Sequence, residues 1–404
     1  MKVKETKGIT LIALVITIVV LLILAGVVIA TLNGNDNIIK NANTAVGKYN
    51  EKVNEEQSVL NTLEEKLREY TNGGSSNPTT PEEPGTPPTV DSNGLATKPT
   101  TIKPDKNSNL QIVIPAGFAL AILQTGTTQS LPGEDGRVKN KMPASQWNNI
   151  TADDINKGIV VVDADGNEFV WIPITDASKF ARSAFGETLA ATSTENAYWE
   201  DTTTTEYTNM VTSVTNNKGF YVARYEASAN SDSSKAQSKR GATTWNISQT
   251  DAITKSANYN SALHSHLMYG IEWDSILNWL KGNATISSST DGRTKTMELA
   301  DLQTNSHSWG NYWTSTGDAA TNSGSKQNTG KSEYWKANNI YDLAGNVREW
   351  TQEKWSTGTY RADRGGSYDF YGEDTGYYYP VALRFNTETS VTSDAIGFRA
   401  SFYL

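Results

Sequence analysis

Every tryptophan in this 404-residue chain lies at or beyond Trp147, and there are eleven of them. Large aromatics dominate buried cores, so the first hundred residues cannot be the globular part and the packed domain must be built from the later three-quarters of the chain. The formal net charge is −9. Binding nucleic acid needs clustered Lys and Arg, and without such a cluster no nucleic-acid partner is expected. The chain has no Cys and only three His, at His264, His266 and His307. Thiol nucleophiles and thiolate metal sites are excluded, and most His-based metal hydrolases with them.

No side chain between residues 9 and 32 is charged. At 1.5 Å per residue this run is long enough to cross a bilayer as a helix. Lys2, Lys4 and Lys7 precede it, which by the positive-inside tendency leaves the N-terminus in the cytoplasm and the rest at the cell surface. Residues 1–8 then form a basic leader. Lys7-Gly8-Ile9-Thr10-Leu11 resembles the processing signal of type IV pilins. The resemblance implies cleavage between Gly8 and Ile9 and a helix that stays in the membrane or packs into a pilus. The fifth residue of the processed chain, Glu in most pilins, is Ala13 here, which weighs against assembly into a conventional pilus more than against anchoring.

Within residues 36–70, Val46, Tyr49, Val53, Leu60, Leu63, Leu67 and Tyr70 fall on three- and four-residue steps, with Glu56 as the polar intruder. This makes one apolar seam on a charged helix, suited to a short coiled coil, to the outer half of a pilin stem or to packing on its own domain. Seven of the twelve prolines lie between Thr71 and Lys106, so residues 71–109 read as an extended spacer. The domain is expected over 110–404.

Within it, Ile159 to Val162 and Phe169 to Ile172 flank Asp163-Ala164-Asp165-Gly166-Asn167-Glu168 as a hairpin, Asp-Gly being a favoured turn. The Asp-rich run looks like a calcium loop, but strands flank it and the other ligand positions are missing. Gly219 to Ala227 alternates as a strand with Arg224 and Glu226 on one face, and 229–255 reads as polar loop. Met268 to Leu280 reads as a helix whose Trp273, Ile276, Leu277 and Leu280 face the core.

Three later segments carry the most specific signal. They are Asn339-Ile340-Tyr341-Asp342-Leu343-Ala344-Gly345-Asn346-Val347-Arg348-Glu349-Trp350-Thr351, Arg364-Gly365-Gly366-Ser367 and Gly397-Phe398-Arg399. Gly345-Asn346 should make a tight turn, Trp350 should enter the core, and Glu349 should meet one of Arg348, Arg364, Arg384 or Arg399. In order and spacing the three resemble the formylglycine-generating-enzyme-like family. The resemblance implies an α+β domain of the C-type lectin-like type. It also implies that Asn346 and Glu349 hold either structural hydrogen bonds or a structural calcium ion; no other cofactor is required.

The family contains enzymes, but its formylglycine generators use a Cys pair with copper and its sulfoxide synthases a His-rich iron site. This chain lacks the first, and His264-Ser265-His266, read as a loop-borne pair, lacks the third His of the second. The same fold serves the variable proteins of diversity-generating retroelements, which the resemblance makes the better guide. It implies a surface-displayed ligand-binding protein for an external protein or glycan. The alternatives are a structural minor pilin without a ligand of its own and, last, an oxidase. Tyr368, Asp369, Tyr371, Asp374, Tyr377, Tyr378 and Tyr379, between the Gly-Gly and Gly-Phe-Arg segments, are the candidate ligand contacts. Tyr supplies large amphipathic contact area at low entropic cost.

Overall fold

Alternating apolar strands, buried on both faces, form the centre of the molecule. The computed structural model describes residues 87–404 except 106–107, 126–127, 129, 289–292 and 374–378. The expected leader, apolar run, seam and first part of the spacer, with Gly8, Ile9, Asp374, Tyr377 and Tyr378, lie outside the described residues. Among the described residues no helix is long and apolar enough to cross a membrane.

Leaving aside three short two-stranded ribbons, the strands in chain order are β1 (Thr100–Ile102), β2 (Ile112–Ile114), β3 (Phe118–Leu123), β4 (Val138–Lys141), β5 (Val160–Asp163), β6 (Glu168–Pro173), β7 (Tyr198–Trp199) and β8 (Gly219–Ala223). They continue with β9 (Ser265–Leu267), β10 (Arg348–Trp355), β11 (Tyr360–Arg364), β12 (Arg384–Glu388), β13 (Ile396–Phe398) and β14 (Ala400–Phe402). A seven-stranded antiparallel sheet runs β9-β14-β8-β6-β5-β3-β4. A smaller sheet runs β12-β11-β10-β13, with β7 paired to the far end of β10. Its β10–β13 pair is parallel and sets Glu349 opposite Gly397.

Side chains on β6 point alternately to the two faces of the large sheet. Phe169 and Trp171 pack with Trp147, Tyr221 and Phe402 on one face. Val170 and Ile172 pack on the other, beneath helices α2 (Thr205–Asn217) and α4 (Gly270–Leu280); α1 (Ala152–Asn156) and α3 (Gln249–Ala257) are shorter. Helix α2 buries Tyr207, Met210 and Val214 on one stripe, with the Thr204 side chain accepting from Tyr207 N at its start. In α4, Trp273, Ile276, Leu277 and Leu280 are all buried, as their spacing requires. The hairpin also forms: Gly166 has φ 79° and the Asp163 carboxylate is engaged by Asn167 and by Tyr259 Oη, each at 2.8 Å.

Two expectations need correction. The packed unit starts before residue 110, because β1 pairs with β2 and Leu95, Ala96 and Ile102 are buried in the cluster with Ile112 and Phe118. Pro99 and Pro104, whose abundance in this region suggests a spacer, flank β1, where their missing N–H groups cost no ladder bond. The polar stretch 229–255 is not all loop. It holds the start of α3, which Ser248 caps by accepting from Asp251 N.

Candidate binding face

Gly345 and Asn346 both adopt left-handed backbone, at φ 74° and 58°. A Cβ on Gly345 would collide with the Asn311 backbone; Asn is among the few other residues that tolerate this conformation. The turn presents the Asn346 amide to four partners. Its Nδ2 donates to Glu226 Oε2 (2.5 Å) and Gln327 O (3.1 Å), and its Oδ1 accepts from Asn311 Nδ2 (3.0 Å) and Gln327 N (2.9 Å).

Glu349 meets Arg399. Arg399 Nη2 and Nε donate to its Oε1 at 2.7 and 3.1 Å, and Nε also reaches Oε2 at 3.0 Å. Arg399 sits between β13 and β14, where the chain passes from the small sheet to the large one. Its remaining donors reach Ala223 O and Tyr341 O, so one guanidinium ties the two sheets together. Burial raises the Glu349 carboxyl above its usual range against the pull of Arg399. Burial also pushes Asp342 up to about 6 and Glu226 well above the carboxylate range, the latter with help from Asp342 and Glu349.

Of the two alternatives for Asn346 and Glu349, the hydrogen-bonded arrangement is the one seen in these side chains. The carboxylate oxygens of Glu349 are engaged by the Arg399 guanidinium and the Asn346 oxygen accepts two N–H groups. Among the described residues no group of three His, Asp or Glu could hold a metal ion. His264 stacks on Tyr403. His266 is not loop-borne: it lies buried on β9, with Nδ1 at 2.8 Å from His264 O and Nε2 at 3.0 Å from Glu272.

The second Gly-rich segment launches the face. Arg364 is buried and held by Asp274 (2.9 Å), Glu353 (3.3 Å) and Ala382 O (3.0 Å). Gly365 and Gly366 come next, at φ 95° and 70°; Gly345 N and Tyr312 Oη donate to Gly365 O at 2.8 and 2.6 Å. A side chain at Gly366 would strike Tyr379 O and the Tyr312 ring. Residues 367–373 then lie along 305–316. Ser306 N donates to Gly372 O (2.9 Å), Trp313 N to Phe370 O (2.8 Å) and Thr314 Oγ1 to Tyr371 O (3.0 Å), while His307 Nδ1 lies 3.3 Å from Glu373.

The outer side of this paired segment carries Tyr371 at 40% exposure and Trp313 at 60%. Asp369 is exposed beside them in sequence, accepting from Ser367 Oγ at 2.5 Å, and half-buried Tyr368 donates to Asp394 at 3.3 Å. Tyr379 has a different place. It is half-buried and packs against Phe370 and Phe385 at ring separations of 4.8 and 5.0 Å, and the Arg348 guanidinium stacks on those same two rings. Its ring is held in this cluster. Trp313 and its neighbours His307 and Thr314 escape sequence reasoning. Their Ser/Asn/Gly-rich surroundings read as loop, and the one available signal is a second Trp four residues after Trp309 in a stretch with no helical pattern.

No family model matches the chain, and no curated protein matches it. Among solved structures it is similar to PvdO from Pseudomonas aeruginosa at 14% identity and a TM-score of 0.33, covering 60% of this chain and 96% of that one. It is similar to CarF at 15% identity and a TM-score of 0.29, with 46% and 87% covered. It is also similar to Treponema denticola variable protein 1, at 15% identity and a TM-score of 0.23, with 76% and 99% covered.

Proposed function

We propose that this chain is a surface-displayed binding protein whose C-terminal domain, of the C-type lectin-like type, grips an external macromolecule through the face made by 305–316 and 367–373. The observation that carries this reading is the exposure of Trp313 and Tyr371 on two segments fastened backbone to backbone, over a buried Arg–carboxylate frame. Large apolar side chains held rigidly in the open are what binding hot spots require. Trp313 and Tyr371 supply contact area, and Asp369 and Tyr368 supply polar discrimination. Asp374, Tyr377 and Tyr378 continue the same segment in sequence and belong to the proposal. Diversification of this face by a retroelement is part of the same proposal. The apolar run 9–32 would hold the domain at a membrane or in a pilus, with 46–70 available for self-association.

No step of this reading involves catalysis. The test is to probe an array of cell-surface proteins and glycans with the purified chain and with the Trp313→Ala/Tyr371→Ala variant. Specific binding that disappears in the variant, at unchanged melting temperature, is the expected result. Binding that survives the double substitution would place the contact surface elsewhere. A reverse transcriptase gene beside this one, with a near-copy of its final codons, is the corresponding genomic expectation for diversification.

A further inference from the structure

Of the eleven tryptophans, Trp313 is the one that is exposed; seven are buried, and Trp199, Trp245 and Trp355 are half-buried. Each of the half-buried three is covered by another side chain of the same chain. Lys354 Nζ lies 4.5 Å from the Trp199 ring centre and Lys255 Nζ 5.6 Å from that of Trp245, while Tyr198 packs on Trp355 at 4.4 Å. Among the described residues no Lys, Arg or aromatic ring takes that place on Trp313, which keeps 60% of its surface open. An indole is the best side-chain partner for a cation over its face, and this one has none from its own chain.

The two segments that make the face carry no basic side chain. There is no Lys or Arg from residue 296 to 325, nor from 365 to 383. They carry carboxylates instead. Asp369 is exposed, one residue before the Phe370 carbonyl that accepts from Trp313 N at 2.8 Å. Glu373, its side chain 41% exposed, ends the paired stretch opposite Asn305. His307 beside Glu373 does not neutralise it, because burial lowers the imidazole pKa below its usual value and leaves the ring uncharged at neutral pH. Two cations at the margin are already engaged. Arg348 stacks on Phe370 and faces Asp363 at 3.5 Å, and half-buried Lys326 donates to Asn246 and is drawn to Asp394. Complementary charge sets the choice of partner at an interface. A neutral glycan would leave the Asp369 and Glu373 charges uncompensated, whereas cationic side chains compensate them and cover the indole as well.

We infer that the face takes a basic segment of a partner protein, with a Lys or Arg side chain seated on the Trp313 indole and neighbouring cations facing Asp369 and Glu373; this rests on the binding role proposed above. The test applies the purified 404-residue chain to an array of random-sequence peptides rich in Lys and Arg. Each peptide is printed beside a copy in which acetyl-lysine and citrulline remove the charges, and a neutral glycan array is run in parallel. The chain should bind a subset of the basic peptides and none of their charge-free copies. Trp313→Ala should weaken that binding about tenfold, and Asp369→Asn/Glu373→Gln should weaken it by a similar factor. Asp153→Asn/Glu195→Gln removes the same charge from exposed carboxylates of α1 and of the loop before β7, and should leave binding unchanged. Melting curves check that each variant folds. Equal loss in the two double variants would reduce the effect to net charge and overturn the proposal. Binding to neutral glycans or charge-free copies that Trp313→Ala removes would overturn it too, while leaving the binding role of the face intact. Binding that Trp313→Ala leaves unchanged would overturn both. Failure of every basic peptide would overturn the proposal, and the cell-surface array would then decide the wider role alone.

Discussion

Tyr371 and Tyr379 lie eight positions apart in one aromatic-rich segment, and composition alone does not separate them. Their surroundings do. Tyr371 is exposed beside Trp313, whereas Tyr379 closes a cluster with Phe370, Phe385 and Arg348. Truncating a packed aromatic leaves a cavity, while truncating an exposed one mostly does not. Tyr379→Ala is therefore expected to lower the unfolding free energy by about 2 kcal/mol, and Trp313→Ala to change it by less than about 0.5 kcal/mol. Urea denaturation of the two variants measures both, and the reverse order would show that the segment is oriented differently. The Gly-Gly and Gly-Asn pairs were readable at this scale, because few residues other than Gly and Asn adopt positive φ readily. The partner of Glu349 was not. Four arginines were available, and only the paired strands β10 and β13 bring Arg399 to it.

Among the elements, α4 is the best-specified by sequence and also carries a titratable clamp. The Glu272 side chain accepts from Tyr269 N (2.8 Å) at the start of the helix and faces His266 (3.0 Å) on β9. Burial alone would lower the His266 pKa, but the adjacent Glu272 outweighs it and lifts it to about 9. A histidine whose folded pKa is raised contributes stability that is fully present below its unfolded value near 6.5 and is lost as pH rises through 9. Glu200 acts in the same direction in the lower part of this window. Burial lifts its carboxyl to about 7, so its ionised form is disfavoured in the folded state as pH rises from 4.5 through 7. Lys336, which burial lowers to about 8, opposes them only above that value. Between pH 6.5 and 8 the unfolding free energy should thus fall by about 2 kcal/mol, measured by urea midpoints, and His266→Gln should remove most of that slope. A slope of the opposite sign would contradict the pairing. Helix α2 shows the limit of reading elements from sequence. Its Thr- and Asn-rich run has poor helix propensity, and it is helical because Tyr207, Met210 and Val214 are buried in the core cluster beneath it.

At the scale of the molecule, three short motifs far apart in sequence converge on one frame. Arg399 joins the two sheets, Arg364 and Arg384 share Asp274 and Glu353, and Tyr368 N donates to Asn346 O at 3.0 Å. Buried ion pairs of this kind are costly to break, and loss of one partner destabilises by about 3–5 kcal/mol. The frame was legible because Gly and Arg at fixed spacing have few structural substitutes. The partner loop 305–316 was not, because its role comes from backbone bonds to 367–373 that no residue type announces. On the proposed reading, a frame that tolerates little change carries a face that tolerates much. The melting temperatures of individual members of a library randomised at Trp313, Tyr368, Asp369 and Tyr371 test that separation. Most members should melt close to the parent, and binders to a chosen target protein should be selectable from them. A library in which most members are unfolded would contradict the separation of face from frame.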